Sequence, residues 1–308
     1  MNKETRESIN LPSGQSFRLL RFRRWQHATS KVEVMLEKGK SKTIPAGGNQ
    51  WHYHPACELT CIHSGAGTRL VADEIELFGP NDLILVGHNV PHYWYFKEAS
   101  SGLAIQWDLP LEHGIWNFVE AGALKKLDKL AKRGLKIRGR TAESVRNQME
   151  GLIPLSGLTR LAAFLSILGE ITEAPALDVC PISSKPFSLS GSAAHHEAMR
   201  KAVSYILANH HEPISLNDLL QLTNMSRATF ARQFQIHAGK SFSSFLNEIR
   251  LRQVCKDLED TAHSVSEIAF RHGFNQLSFF NRLFRRELKL TPSEYRNKNQ
   301  RPFATANK

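Results

Sequence analysis

One pattern is written twice in the last third of this 308-residue chain. Asp218-Leu219-Leu220 leads to Asn224-Met225 and on to Phe230-Ala231-Arg232-Gln233-Phe234, and Glu267-Ile268-Ala269 leads to Gly273-Phe274 and on to Phe280-Asn281-Arg282-Leu283-Phe284. The two F-x-R-x-F cores lie 50 residues apart. A repeat constrains the fold more than any local propensity, because each copy builds the same supersecondary unit. Here each copy reads as helix, tight turn, helix. Ser215-x-x-Asp218 and Ser264-x-x-Glu267 are matching helix starts: the hydroxyl accepts an orphan backbone N–H and the acid favours the positive helix end. Asn224 and Gly273 stand where the turn needs a residue that tolerates the left-handed conformation.

In the second helix of each unit the two phenylalanines, four apart, share one face. Burying Phe230 with Phe234, or Phe280 with Phe284, turns Arg232 or Arg282 outward, where a guanidinium can bind guanine O6 and N7 in a major groove. Phe242 to Leu258 reads as one connecting helix between the units, stiff enough to set the two outward helices in successive grooves about 34 Å apart. Glu197 to Asn209 opens the module as an amphipathic helix, and Thr291-Pro292-x-Glu294 caps a last helix carrying Tyr295 and Arg296.

Charge agrees with this. Of the formal +11, a net of +7 falls from His196 onward, where 17 Lys and Arg stand against 10 Asp and Glu. A basic module favours polyanions, nucleic acid before an anionic membrane. The 41% apolar and 22% charged content is that of a folded globular protein, and the length points to more than one domain. Met1 to Gln15 lacks the apolar core of a secretory signal, no stretch reaches the length of a spanning helix, and the four cysteines are scattered. A cytoplasmic protein with reduced thiols is expected, without a membrane partner.

From Ser215 to Arg296 the chain resembles the AraC/XylS family of transcription regulators, on the two units, the connecting helix and Leu290-Thr291-Pro292-x-x-Tyr295-Arg296. Leu220 departs from the small residue usual there, whereas Ala269 keeps it. The resemblance implies DNA contacts from Arg227, Ala228, Ala231 and Arg232 in the first unit. In the second it implies them from Gln276, Leu277, Ser278, Asn281 and Arg282; Arg227, Arg285 and Arg286 can instead simply hold phosphates, which gives affinity without sequence. It also implies promoter or operator DNA as a partner, RNA polymerase if the protein activates, and a small-molecule effector domain ahead of the module.

The first third reads as an all-β sandwich or barrel. Short strand-like runs follow one another at Phe17–Arg24, Val32–Leu36, around Trp51–Ile62, and at Asp82–Val86, His92–Phe96 and Leu103–Trp107, separated by turn signals such as Pro45-Ala46-Gly47-Gly48. His52, His54 and Glu58 have the parity of one strand face, and His92 can join them from a neighbouring strand. Three imidazoles and a carboxylate suit a divalent transition metal, Zn, Ni, Fe or Mn. The same four groups, with Trp51, Tyr53 and Trp94 beside them, equally suit an organic effector such as a sugar or related metabolite held without metal. Cys57 and Cys61 have the opposite parity and should point away from the pocket. At these residues the segment resembles the cupin superfamily, through His52-x-His54-x3-Glu58-x6-Gly65 and the run to His92. It departs from that pattern at Ala46, Gly87 and Asn89.

Between the two, Ile115–Lys136 reads as a helix with a basic side. Thr141 and Glu143 open a second, and Leu158, Leu161, Phe164, Leu165, Leu168 and Ile171 form a wide apolar stripe on a third, for which a homodimer contact is the favoured cover. The fold expected is an α+β multidomain chain. It comprises a cupin-like β-barrel over 1–113, a helical connecting or dimerisation region over 114–175, a linker over 176–192, and an all-α module with two helix-turn-helix units over 193–308. No catalytic residue is assigned beyond the ligand set, so the leading expectation is a non-enzymatic regulator. A metal-dependent cupin enzyme (isomerase or dioxygenase) or a metal sensor, fused to the DNA-binding module, is the alternative.

Overall fold

Short strand-forming runs from Phe17 onward produce two β-sheets in the computed structural model, which describes residues 16–24, 30–44, 51–96, 98–109, 112–187 and 193–299. The strands are β1 (Phe17–Arg24), β2 (Ser30–Met35), β3 (Ser41–Ile44), β4 (Cys57–Ser64), β5 (Gly67–Val71), β6 (Glu74–Phe78), β7 (Leu83–Val86), β8 (His92–Phe96), β9 (Ser100–Trp107), β10 (Leu135–Ile137) and β11 (Val179–Pro181). Eight of them form one sheet in the order β11-β10-β7-β4-β9-β1-β2-β3, and β6-β5-β8 form a second. The expected barrel is therefore an open arrangement of two facing sheets rather than a closed wall of strands. A backbone bridge between His52 and His92 links the stretch before β4 to β8.

Parity sorts the core. Leu19, Cys57, Leu59, Cys61, Leu85, Ile105 and Trp107 sit on one face of the large sheet in a single apolar cluster. Leu20, Phe22, Ile62, Ile84, Val86 and Ala104 sit on the other, against Val71, Phe78 and Trp94 of the small sheet. Helices cover the first face: α1 (Gly122–Ala131), α2 (Gly139–Gly151) and α3 (Gly157–Glu173). Each fully buried aliphatic or phenylalanine side chain in these layers contributes about 1.5–3 kcal/mol, which fixes the register of strands whose alternate faces are both dry.

Three expectations change here. The helix over Ile115–Lys136 ends at Ala131, because the chain reverses at Gly134, which has φ +62 and leaves no room for a Cβ beside Val71. Lys136 then lies in β10 and pairs with Glu76 at 3.3 Å, not on a helix surface. The apolar stripe of α3 is mostly covered within its own unit: Phe164, Ile167, Leu168 and Ile171 are buried, and Phe164 stacks on Phe17 at 4.2 Å. Leu158 and Leu165 remain exposed. In the segment over 176–192, residues Val179–Pro181 form the edge strand β11. The sheet thus recruits strands from beyond residue 113, and the turn around Ala46 lies outside the described residues.

The chain divides into two compact units, Met1–Arg200 and Lys201–Lys308. Helix α4 (Ala193–Asn209) precedes α5 (Leu216–Thr223), α6 (Arg227–Ala238), α7 (Phe242–Asp260), α8 (Val265–Arg271), α9 (Leu277–Leu288) and α10 (Pro292–Asn299). Both expected capping boxes are formed: Ser215 with Asp218, and Ser264 with Glu267. Asn224 takes φ 52 and Gly273 takes φ +80. Among the described residues no helix is long and apolar enough to cross a membrane.

Candidate DNA-binding surface and histidine cluster

The repeat builds two equivalent helix pairs. Phe230, Phe234, Phe280 and Phe284 are all buried, at no more than 1% exposure, and the ring pairs within each helix lie 5.4 and 5.6 Å apart. Helix α7 supplies the floor of the second unit through Leu251, Val254, Cys255 and Leu258. Its Arg250 donates to the carbonyls of His210 and Glu212, at 2.7 and 2.8 Å, tying the turn ahead of α5 to the connector.

With the phenylalanines inward, the opposite face follows. Arg227, Ala228, Ala231 and Arg232 on α6 are exposed, as are Gln276, Ser278, Asn281, Arg282, Arg285 and Arg286 on or beside α9. Leu277 differs: it is half-buried and packs against the second unit's core. Arg286 is paired with Glu287 at 2.6 Å, which lowers its availability for a phosphate. The first unit thus presents Arg232 beside Ala228 and Ala231, and the second presents Arg282 amid amide and hydroxyl groups.

In the N-terminal unit, the backbone bridge brings the three histidines together. Ring centroids of His52 and His92 are 4.3 Å apart and those of His54 and His92 4.9 Å apart. One nitrogen from each of the three lies within 4.8 Å of the others. His54 Nδ1 contacts the Ala56 carbonyl and His92 Nδ1 the Val90 carbonyl, both at 2.8 Å. A carbonyl only accepts, so both Nδ1 atoms carry protons and a neutral ring keeps its lone pair at Nε2. The Nε2 of His92 is buried with no hydrogen-bond partner.

Glu58 is held on the same cluster. Its Oε2 accepts from Gln106 Nε2 at 2.5 Å and faces His54 Nε2 at 3.3 Å, and its Oε1 accepts from Thr60 at 2.5 Å. Burial raises the Glu58 carboxyl, but its contacts with the neighbouring imidazoles and the Thr60 hydroxyl outweigh it and hold the group well below the ordinary range. Burial first, then the neighbouring His52 and His54, depresses His92, which stays neutral. A neutral ring, a fixed tautomer and an orphaned buried Nε2 fit a divalent ion.

A cavity opens beside the cluster. His52, Glu58 and Trp94 line it, whereas His54 and His92 lie outside its lining, Trp51 is core at 2% exposure and Tyr53 turns its hydroxyl to His196 Nδ1 at 3.1 Å. Sequence reading missed Arg18, Arg24, Thr60 and Gln106 on the same wall. Arg18 Nε donates to Gln106 Oε1 at 2.6 Å, and Gln106 in turn donates to Glu58. The signal was parity: Arg18, Leu20, Phe22 and Arg24 alternate along β1 onto one face.

Residues 219–298 match the family model described as a helix-turn-helix domain. The C-terminal unit is accordingly a helix-turn-helix DNA-binding domain. It is of the AraC type, as the resemblance implied, with two such units joined by one long helix, as the repeat led us to expect. The chain is 30% identical over 115 residues to the regulatory protein PocR of Salmonella typhimurium, covering 36% of this chain and 38% of that one. It is 29% identical over 116 residues to an uncharacterised HTH-type transcriptional regulator of Staphylococcus aureus, covering 38% of this chain and 15% of that one. These alignments span well under half of either relative. Among solved structures, a probable AraC family transcriptional regulator from Rhodopseudomonas palustris shares 31% identity over 34% of this chain and 99% of its own, with a TM-score of 0.32. The DNA-binding domain of the global transcriptional factor AdpA, in complex with a target DNA, shares 32% over 33% of this chain and 91% of its own, with a TM-score of 0.32.

Proposed function

We propose that the protein is a sequence-specific transcription regulator whose C-terminal module reads two successive major grooves while its N-terminal unit binds a small-molecule effector. The observation that carries the reading is the pair of exposed arginines, Arg232 and Arg282, each set opposite a buried phenylalanine pair on equivalent helices. Groove contacts run through Arg227, Ala228, Ala231 and Arg232 on one side and Gln276, Ser278, Asn281 and Arg282 on the other, with Arg285 on a phosphate. Selection of bound duplexes from a random pool tests this. Enrichment of a motif with two boxes one helical turn apart supports it, and binding without enrichment rejects it.

The N-terminal unit is read as a cupin-like effector domain. Its cavity combines arginines, the Glu58–Gln106 pair and the faces of Phe22, Trp94 and Phe96, which suits a small metabolite with a polar or acidic edge, such as a sugar acid. The names of the relatives favour regulation over catalysis. Effector binding acts by linkage: a ligand shifts DNA affinity only by its differential affinity for the two arrangements. A thermal-shift screen of sugars, sugar acids and related metabolites identifies the class. Homodimerisation through the exposed Leu158 and Leu165 of α3 belongs to the same reading. Light scattering of the Leu158→Lys/Leu165→Lys variant should report a monomer where the native chain reports a dimer.

A further inference from the structure

On the face of β4 opposite Glu58, Cys57 meets α1. Its Sγ lies 3.8 Å from Asp128 Oδ1, which is 2.9 Å from His88 Nε2. The three atoms all fall within 4.8 Å of one another. A tetrahedral zinc site, with Zn–S about 2.3 Å and Zn–N or Zn–O about 2.0–2.1 Å, separates sulfur from oxygen by about 3.5 Å and nitrogen from oxygen by about 3.3 Å. Shifts of a few tenths of an ångström bring the Cys57–Asp128 and His88–Asp128 pairs onto that geometry.

A second observation points the same way. His88 Nδ1 donates to the Pro55 carbonyl, so the ring is oriented by its backbone contact and offers Nε2 to the cluster. His54 and His92 are set in the same manner. We propose that Cys57, His88 and Asp128 form a second divalent metal site, of the structural zinc type, separate from the three-histidine cluster. The donor set of thiolate, imidazole and carboxylate selects zinc or cobalt over magnesium or calcium. A small cavity bordered by these groups, Trp116 and Leu124 leaves room for a water as fourth ligand.

The position gives the site a use. Cys57 precedes Glu58 directly and projects to the other face, and His88 stands four residues before His92. An ion joining Cys57 and His88 to α1 holds the two backbone segments from which Glu58 and His92 reach the first cluster.

Cobalt distinguishes the two sites, because only the second has a thiolate. The full chain, stripped with a chelator and titrated with Co²⁺, should develop a sulfur-to-cobalt charge-transfer band that saturates at one equivalent of the thiolate site. Cys57→Ser should abolish the band, His52→Ala should retain it, and Asp128→Asn should weaken the affinity read from it by about tenfold or more. No band in the native chain overturns the proposal, as does a band that survives Cys57→Ser or vanishes in folded His52→Ala. Should Cys57→Ser fail to fold by circular dichroism, Asp128→Asn decides: an unchanged cobalt affinity rejects the site.

Discussion

His54 Nε2 and Glu58 Oε2 face each other across 3.3 Å, while the other nitrogen of His54 already donates to the Ala56 carbonyl. For a neutral ring this sets a lone pair against a carboxylate. Two states relieve it: an imidazolium at His54, or a divalent ion shared with His52 and His92. A titration of zinc or nickel into metal-free protein separates them. In a folded Cys57→Ser background, which removes the thiolate of the second site, one ion per chain should bind and His92→Ala should remove it. Gln106→Leu, which takes the 2.5 Å hydrogen bond from Glu58, should weaken binding about 10–100-fold. Equal uptake by the native cluster and His92→Ala assigns the contact to a proton instead.

The two readers should differ in how they fail. Arg282→Ala and Arg232→Ala should each cost about 1–3 kcal/mol on the selected site and relax its sequence, whereas Arg285→Ala should weaken all sequences alike and flatten the salt dependence. Arg286→Ala should have the smallest effect, because its guanidinium is engaged by Glu287. Competition assays with cognate and scrambled duplexes give the comparison. A uniform loss in every variant means that the arginines only hold phosphates.

The equivalent turns are not equally tolerant. A Cβ on Gly273 would lie 2.8 Å from Arg250 Nη2 and 2.9 Å from the His211 carbonyl, at φ +80. Gly273→Ala should therefore lower stability by about 1–3 kcal/mol. Asn224 already bears a side chain at φ 52, so Asn224→Gly should stay within about 1 kcal/mol of the native value. Urea midpoints at constant slope measure both, and an unaffected Gly273→Ala removes the argument.

Acid should loosen the second helix pair through its cap. The bonds to the Ser264 side chain and backbone hold the Glu267 carboxyl below its ordinary 4.5. A depressed folded value means that this contribution is complete above the unfolded value and is lost as pH falls through the folded one. Urea midpoints taken from pH about 6 down to about 3 should fall less steeply for Glu267→Gln than for the native chain. Parallel profiles would show that the cap does not titrate with folding.

Local rules made the C-terminal module legible. Ser264 and Glu267, Gly273, and phenylalanines at i and i+4 act within one or two helical turns, and the second copy at 50 residues supplied an internal control. The opposite parity of Glu58 and Cys57 was legible for the same reason, since alternate side chains leave a strand on opposite faces. The placement of Cys57 away from the histidines followed from it.

Tertiary structure alone decided what lies between distant strands. Nothing near Lys136 announces that a turn at Gly134 sends it into a sheet beside Glu76, and nothing near Val179 announces an edge strand, because three-residue strands draw their stability from the partner they meet. The cover of α3 was decided in the same way, by Phe17 arriving 147 residues earlier in the chain to stack on Phe164. So was the link from Arg18 through Gln106 to Glu58, and the meeting of Cys57 with Asp128. The chain alone determined which residues could serve as readers, caps and ligands; long-range packing, which trades loop entropy for buried area, decided which of them came together.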